Sequence, residues 1–388
     1  MTLVYVAAGE ASGDVLGARL IAALRAMRPD LEFAGIGGPR MAEQGVPSLF
    51  DYRELALMGL LEVLPKIFRL KRLIADAVSD VAKRRPAVLV TVDSPGFTLR
   101  VARPAKALGI PVVHYVAPQV WAWRPGRVAK LKEEVDRILC LLPFEPIFFE
   151  LAGVPVTFVG HPVLESGADH GDAARFRAVH GLAEDERPVI VMPGSRRMEA
   201  QRLLPIFRGA LTLAAQRLPG LRPVLPVAPI VAEAVRAAAA DWPAAPILVE
   251  GNEAKHDAFA AVAESHGAGL IKSGTSSLEM AVAGIPHVVA YRLNPITAAI
   301  AKRLVKVPHA SLVNLLAERE VVPERIQGPC NPESLAEALL RPMLDPTVAD
   351  AQRVGFGEAL AKLRAPEGLP SEAAAIAVLR ALEERGGG

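Results

Sequence analysis

Residues 271–291, Ile271-Lys-Ser-Gly-Thr-Ser-Ser-Leu-Glu-Met-Ala-Val-Ala-Gly-Ile-Pro-His-Val-Val-Ala-Tyr291, decide the fold. They read as strand, turn, helix, turn, strand. Leu278, Ala281 and Val282 fall at helical spacing after the turn at 272–276, and Gly284 with Pro286 ends the helix. A helix between two apolar strands is the repeating unit of a parallel sheet. Gly274, Thr275 and Ser276 open that helix with unpaired backbone N–H groups, small hydroxyls and a partial positive charge, which suits a phosphate. Glu279, one turn in, can reach a polar group beside such a phosphate, for instance a ribose. The same features also describe a well-capped helix in any α/β protein.

Working outward, the pattern repeats on both sides. Residues 3–8 form a buried strand, Gly9-Glu10-Ala11-Ser12-Gly13-Asp14 a loop, and residues 12–27 a helix. The glycines at 9 and 13 do not have the G-x-G-x-x-G spacing of a dinucleotide site. Strands follow at 32–36, 87–92, 111–115, 137–142 and 156–159, with helices at 58–78, 98–108 and 127–134. The pattern restarts with a strand at 188–192, the turn Pro193-Gly194-Ser195-Arg196-Arg197 and a helix at 198–217. Further strands lie at 222–227, 247–250 and 269–271. Alternation of this kind predicts an α/β chain of two Rossmann-like, doubly wound parallel-sheet domains. The polar, Gly-containing stretch 166–186 reads as a linker. The expected division is 1–165, 166–340 and a helical tail, 341–388, packing back on the N-terminal domain or on a partner subunit. Two such domains place the carboxyl ends of both sheets on one cleft. The loops at 9–14, 93–97, 193–197 and 272–276 all follow strands and would meet there.

Composition sets limits. The chain has 388 residues, 51% hydrophobic and 22% charged, so it can bury two ordinary cores. Cys140 and Cys330 are its two cysteines, which suits a reducing cytoplasm and excludes a disulfide framework. The N-terminus has no basic region and runs straight into a strand, unlike a signal peptide. The longest uncharged run, 107–123, contains Pro111, His114, Pro118 and Gln119, a poor membrane span. Residues 1–150 carry a net +4 and the remainder −2, too little asymmetry for a nucleic-acid partner. The eight histidines show no metal-ligand spacing with the cysteines, so neither a metal nor a cofactor is expected.

Four stretches carry chemistry. Gly194 and Ser195 expose backbone donors, and Arg196 supplies a planar fork for phosphate oxygens. In Thr91-Val92-Asp93-Ser94-Pro95-Gly96-Phe97, Asp93 follows a buried strand and can deprotonate a hydroxyl. It can equally cap the next helix. Glu10, at the end of the first strand, is the rival carboxylate. Between Met58 and Ile74, the residues Leu60, Val63, Leu64, Ile67, Leu70 and Ile74 share a face, flanked by Lys66, Arg69, Lys71 and Arg72. With Phe68 they make a basic amphipathic helix, fit either for an anionic membrane surface or for packing on the sheet. Trp121 and Trp123 read as core or cleft wall rather than a base-stacking platform. His161, before Pro162, reads as structural.

Taken together, these motifs resemble the lipid-A-disaccharide synthase family. The resemblance rests on 9–14, Gly38-Pro39-Arg40-Met41, Met58-Gly59, Asp93-Ser94-Pro95-Gly96-Phe97 and His114-Tyr115-Val116. It continues through Pro118 with 120–124, Phe158-Val159-Gly160-His161-Pro162, 193–196, 274–279, Ser311-Leu312-Val313-Asn314, Pro323-Glu324 and Gln327. It runs from about residue 5 to 340, and Val313 departs from it where Pro is the family's residue. The resemblance implies a GT-B, inverting glycosyltransferase that joins UDP-2,3-diacylglucosamine to 2,3-diacylglucosamine 1-phosphate (lipid X). It implies peripheral attachment to the cytoplasmic face of the inner membrane, catalysis without metal, and dimers that exchange C-terminal parts. It places Arg196 near a pyrophosphate, Glu279 near a ribose, and Asn314 and Gln327 near the nucleotide. Ser12 and Gly13 would belong to the acceptor loop. A nucleotide-sugar 2-epimerase of the same fold is the alternative, and a non-catalytic nucleotide-binding membrane adaptor is the third reading.

Overall fold

The computed structural model describes residues 2–51, 53–56, 63–118, 128–227, 231–240, 242, 245–294 and 308–386. Among the described residues, twelve strands form two parallel six-stranded sheets. The first sheet holds β1 (Thr2–Ala8), β2 (Leu31–Ile36), β3 (Val88–Val92), β4 (Val112–Tyr115), β5 (Arg137–Cys140) and β6 (Val156–Phe158), in the order β2-β1-β3-β4-β5-β6. The second holds β7 (Arg187–Met192), β8 (Leu221–Pro226), β9 (Ile247–Val249), β10 (Gly269–Lys272), β11 (His287–Tyr291) and β12 (Glu324–Ile326), in the order β12-β11-β10-β7-β8-β9. β3 is a short run of buried β-branched and aliphatic residues, and Val189-Ile190-Val191 of β7 and Leu270-Ile271 of β10 are buried in the same way, as sheets covered on both faces require.

In each sheet the winding reverses once. The chain goes from β1 to β2, then returns to place β3 on the other side of β1. It goes from β7 through β8 to β9, then returns to place β10 on the other side of β7. Ligands of doubly wound sheets bind at such switch points, outside the carboxyl ends of the strands.

The molecule divides into two compact units. One is Met1–Pro162 with Leu363–Gly388, and the other is Val163–Lys362. The stretch expected as a linker therefore lies inside the second unit. There Ala173–His180 is a helix, capped by the Asp172 carboxylate, which accepts from the Arg175 N–H, and ended by Gly181 at φ 59°. Arg175 ties it to the helix Asn252–Glu264 through Asp257, at 2.6 Å. The tail expected as one segment also divides. The helix Pro346–Ala361 stays with the second unit, while Pro370–Gly386 buries Ala374, Ala375, Ala377 and Val378 in the first unit's core, beside Leu20 and Val90. Small apolar residues allow that helix to lie close to its neighbour, Ala11–Met27.

The helix Val63–Arg84 packs its stripe inward. Leu73, Ala77 and Val81 are buried in the core, and Leu70 and Ile74 pack against it. Phe68 is 70% exposed, and Arg69, Lys71 and Arg72 face solvent. The side chains of Leu64, Lys66 and Ile67, and all of Met58, Gly59, Leu60, Trp121 and Trp123, lie outside the described residues. Among the described residues no helix is long and apolar enough to cross a membrane.

Candidate functional site

The loops after β1 and β3 flank the first switch point. Ser12 Oγ donates to Asp93 Oδ2 at 3.3 Å, and Ser94 Oγ to Glu10 Oε1 at 3.4 Å. Both candidate carboxylates thus stand at the same edge. Asp93 and Ser94 adopt left-handed backbone, at φ 51° and 46°. The Ser94 N–H donates to Asp93 Oδ1 at 2.7 Å, and Thr98 Oγ1 donates to the Asp93 carbonyl at 2.6 Å. The Asp93 N–H donates to the Tyr115 carbonyl at 2.9 Å, pinning the loop to β4. Asp93 is half-buried, and its Oδ2 is turned toward the exposed hydroxyl of Ser12.

Gly13 has a packing role. It is buried, and a Cβ there would lie 3.1 Å from the Val92 carbonyl oxygen. It lets the first helix approach the sheet. The neighbouring Asp14, 2% exposed, accepts the N–H groups of Gly38, Arg40 and Met41 at 2.7, 3.0 and 3.0 Å. This acid of the first loop therefore fixes the loop after β2 rather than facing a ligand. Below the edge, His114 is fully buried, with Nδ1 2.8 Å from Thr91 Oγ1. Burial lowers its pKa to about 4, so the ring is neutral.

The loops after β7 and β10 flank the second switch point. Gly194 has φ 109°, and a Cβ there would meet Glu199 Oε2 at 2.6 Å. Only glycine lets this turn fold back over the carboxylate. Ser195 and Arg196 are exposed, and Arg196 Nη1 lies 3.8 Å from Glu199 Oε1. Lys272, the last residue of β10, reaches across the switch point to Glu199 Oε1 at 3.2 Å. Gly274, Thr275 and Ser276 follow it into the helix Ser276–Val282, with Thr275 exposed at its start. Ser273 Oγ donates to the Ala310 carbonyl at 2.6 Å, drawing the segment 308–311 to this edge.

Glu279 is bonded to Lys255 Nζ at 2.9 Å. A ribose hydroxyl there would share the carboxylate with this lysine. The Asn314 side-chain amide is fully engaged within the protein. Its Nδ2 donates to the Val322 carbonyl and Glu324 Oε1, both at 2.8 Å, and its Oδ1 accepts the N–H groups of Val321 and Val322 at 2.8 and 2.9 Å. The residue is fully buried and brackets the turn before β12. Glu324 in turn accepts the N–H groups of Ala310 and Ser311, both at 2.9 Å. Gln327 is half-buried at φ 60°, with its N–H on the Tyr291 carbonyl at 2.9 Å, so its backbone joins the end of β11 to that of β12. Lys272, Lys255 and Glu199 were not singled out from the sequence, since their pairing depends on residues 24 to 73 positions apart.

Among the described residues no group of three or more His, Cys, Asp or Glu is placed to hold a metal ion. The chemistry of both edges is that of carboxylates, hydroxyls and fixed cations.

The model of the lipid-A-disaccharide synthetase family matches residues 4–376. The chain belongs to that family. As a member of the lipid-A-disaccharide synthetase family, it is 51% identical over 391 residues to the lipid-A-disaccharide synthase of Granulibacter bethesdensis, covering 98% of each chain. It is 50% identical over 382 residues to that of Gluconobacter oxydans, covering 98% of this chain and 91% of the relative. Solved structures share the fold of this synthetase family member at low identity. A UDP-GlcNAc 2-epimerase from Neisseria meningitidis bound to UDP-GlcNAc superposes with a TM-score of 0.65 at 14% identity, over 99% of this chain and 100% of the other. The glycotransferase of kitacinnamycin superposes with a TM-score of 0.62 at 17% identity, over 98% of both. These are GT-B folds, and two doubly wound units make this synthetase family member one as well.

Proposed function

We propose that the chain is a hexosyltransferase that joins UDP-2,3-diacylglucosamine to 2,3-diacylglucosamine 1-phosphate, releasing UDP and the β-1,6-linked disaccharide 1-phosphate. The observation that carries this reading is the family match over residues 4–376, which takes in both switch points. The epimerase likeness is one of fold, and folds of this class host many reactions.

The roles follow from the two edges. Asp93 takes the proton from the acceptor 6-hydroxyl as its oxygen attacks the anomeric carbon. The bond from that carbon to the β-phosphate oxygen breaks, and its electron pair leaves with UDP. Glu10 stands by as the second carboxylate, 3.4 Å from Ser94 Oγ. The second unit takes the nucleotide, with Gly194, Ser195 and Arg196 at the diphosphate and the 274–276 loop beside them. Glu279 and Gln327 stand at the ribose side. The acyl chains require a lipid-wetted surface, and Phe68 with Arg69, Lys71 and Arg72 is the candidate for contact with the inner-membrane face. A homodimer exchanging the helix Pro370–Gly386 is compatible with the burial that this helix needs.

The test is direct. The purified protein is incubated with both acyl sugars, and products are resolved by mass spectrometry. A disaccharide 1-phosphate with equimolar UDP is expected. A 2-epimer of the donor, or no product at all, would refute the transferase reading. Arg196→Ala is expected to weaken UDP binding in calorimetry, and an unchanged affinity would remove it from the diphosphate.

A further inference from the structure

Lys272 is an enclosed cation at the second switch point, the last residue of β10. Its ammonium lies 3.2 Å from Glu199 Oε1 and 5.3 Å from the centroid of the Tyr291 ring. Its side chain is 21% exposed, against 83% for Arg196. Three contacts thus set its position. The strand backbone of β10 fixes the stem, the aromatic face supports the ammonium, and the carboxylate aims it across the gap between β10 and β7.

The electrostatics of this edge need such a cation. The helix Arg197–Arg217 presents its N-terminus here, but Glu199 stands in its first turn and already takes up the partial positive charge. A carboxylate beside an incoming diphosphate is repulsive unless a positive charge stands between them. Arg196 projects into solvent, and ordering its long side chain costs entropy. An ammonium already held in place needs no such reorganisation when charge develops on a leaving group.

We propose that Lys272 is the counter-charge for the β-phosphate of the departing nucleoside diphosphate, with Glu199 and Tyr291 holding its ammonium at the switch point. The inference rests on the nucleotide-sugar reading above and assigns a residue within it. As the bond between the anomeric carbon and the β-phosphate oxygen breaks, the electron pair passes to that oxygen. Lys272 remains protonated and pairs with it. The proton released by the acceptor hydroxyl goes to a carboxylate of the first unit, so Lys272 neither gains nor loses one.

The test uses the full chain and three ligands. Lys272→Met removes the charge but keeps an unbranched apolar stem against Tyr291. Lys272→Gln is a second charge-removing variant, should methionine impair folding, and Lys272→Arg restores the charge. Dissociation constants for UDP, UMP and uridine are measured by calorimetry, together with kcat for disaccharide formation. The charge-removing variants are expected to lose UDP affinity by about tenfold or more, with UMP and uridine changing less than about threefold. They are also expected to lower kcat, and arginine to restore most of both. Equal losses for all three ligands would reduce Lys272 to a loop support, and an unchanged UDP affinity would remove it from the site. If the wild-type protein binds UDP and forms product while the variants match it, only this assignment fails. If the wild-type protein neither binds UDP nor forms product, the nucleotide-sugar reading fails with it.

Discussion

Asp93 shows how much a single residue has to satisfy. It needs a left-handed backbone, a side chain aimed at the sheet edge and an oxygen free of strong internal donors. Left-handed φ is rare for most residues but accessible to Asp and Asn. Asp93→Asn therefore keeps the loop and removes the carboxylate proposed as the base. Turnover is expected to fall by about 10²–10⁴ while UDP affinity holds, read by steady-state kinetics and calorimetry. Asn314 makes the contrasting case. Its alanine variant strands two N–H groups and a carbonyl in the core, a loss of about 2–3 kcal/mol. The expected readout is a melting temperature several degrees lower, with UDP binding retained by the folded fraction. Burial also lowers His114, His161 and His287 to about 4. Each is neutral when folded and takes up a proton on unfolding below its ordinary value near 6.5. Their stabilising share is full above that pH and is lost as pH falls toward 4. His114→Gln should flatten the slope of melting temperature against pH across that window, and an unaltered slope would exclude His114 as one of the groups.

At the scale of elements, the strands were readable because a parallel sheet covered on both faces demands short aliphatic runs ended by Gly or Pro. Residues 189–192, before Pro193, have that form, and 88–92 is a β-branched and aliphatic run closed by the turn Asp93-Ser94-Pro95. The helix Ala173–His180 was hidden because its eight residues bury little beyond Ala173 and Phe176, among polar neighbours. The loops at the two switch points were readable from their place after strands. Their partners were not, because Lys272 meets Glu199, and Glu279 meets Lys255, through tertiary folding alone. The amphipathic helix Val63–Arg84 had two readings. Its described apolar stripe answers to the core, leaving Phe68 and its basic neighbours outward. Phe68→Ser is expected to reduce sedimentation with anionic vesicles without lowering the melting temperature. Unchanged sedimentation would remove this element from the lipid surface.

At the scale of the whole molecule, the activity assignment depends on identity along the full chain rather than on shape. A fold shared at 14% identity with an epimerase leaves the reaction open, whereas 51% identity over 98% of a synthase narrows it. The division into units makes its own prediction. A chain ending at Lys362 lacks the helix Pro370–Gly386 and uncovers the core that Ala374, Ala375 and Val378 close. The first unit should then be cut rapidly by protease, while the second, continuous in sequence, survives and still binds UDP. Equal resistance of both units would contradict that division.

The first unit borrows its closing helix from beyond the second. The chain leaves it at Pro162 and returns at Leu363, where the His161 N–H donates to the Leu363 carbonyl at 2.9 Å. A ribosome makes the chain in one direction, at about 5–20 residues per second. The second unit can therefore complete its core while the first unit, begun earlier, still waits for its last helix. For some seconds of every synthesis, an apolar face near Leu20 and Val90 is open, so nascent-chain chaperones and stalled synthesis should bear on the first unit more than on the second.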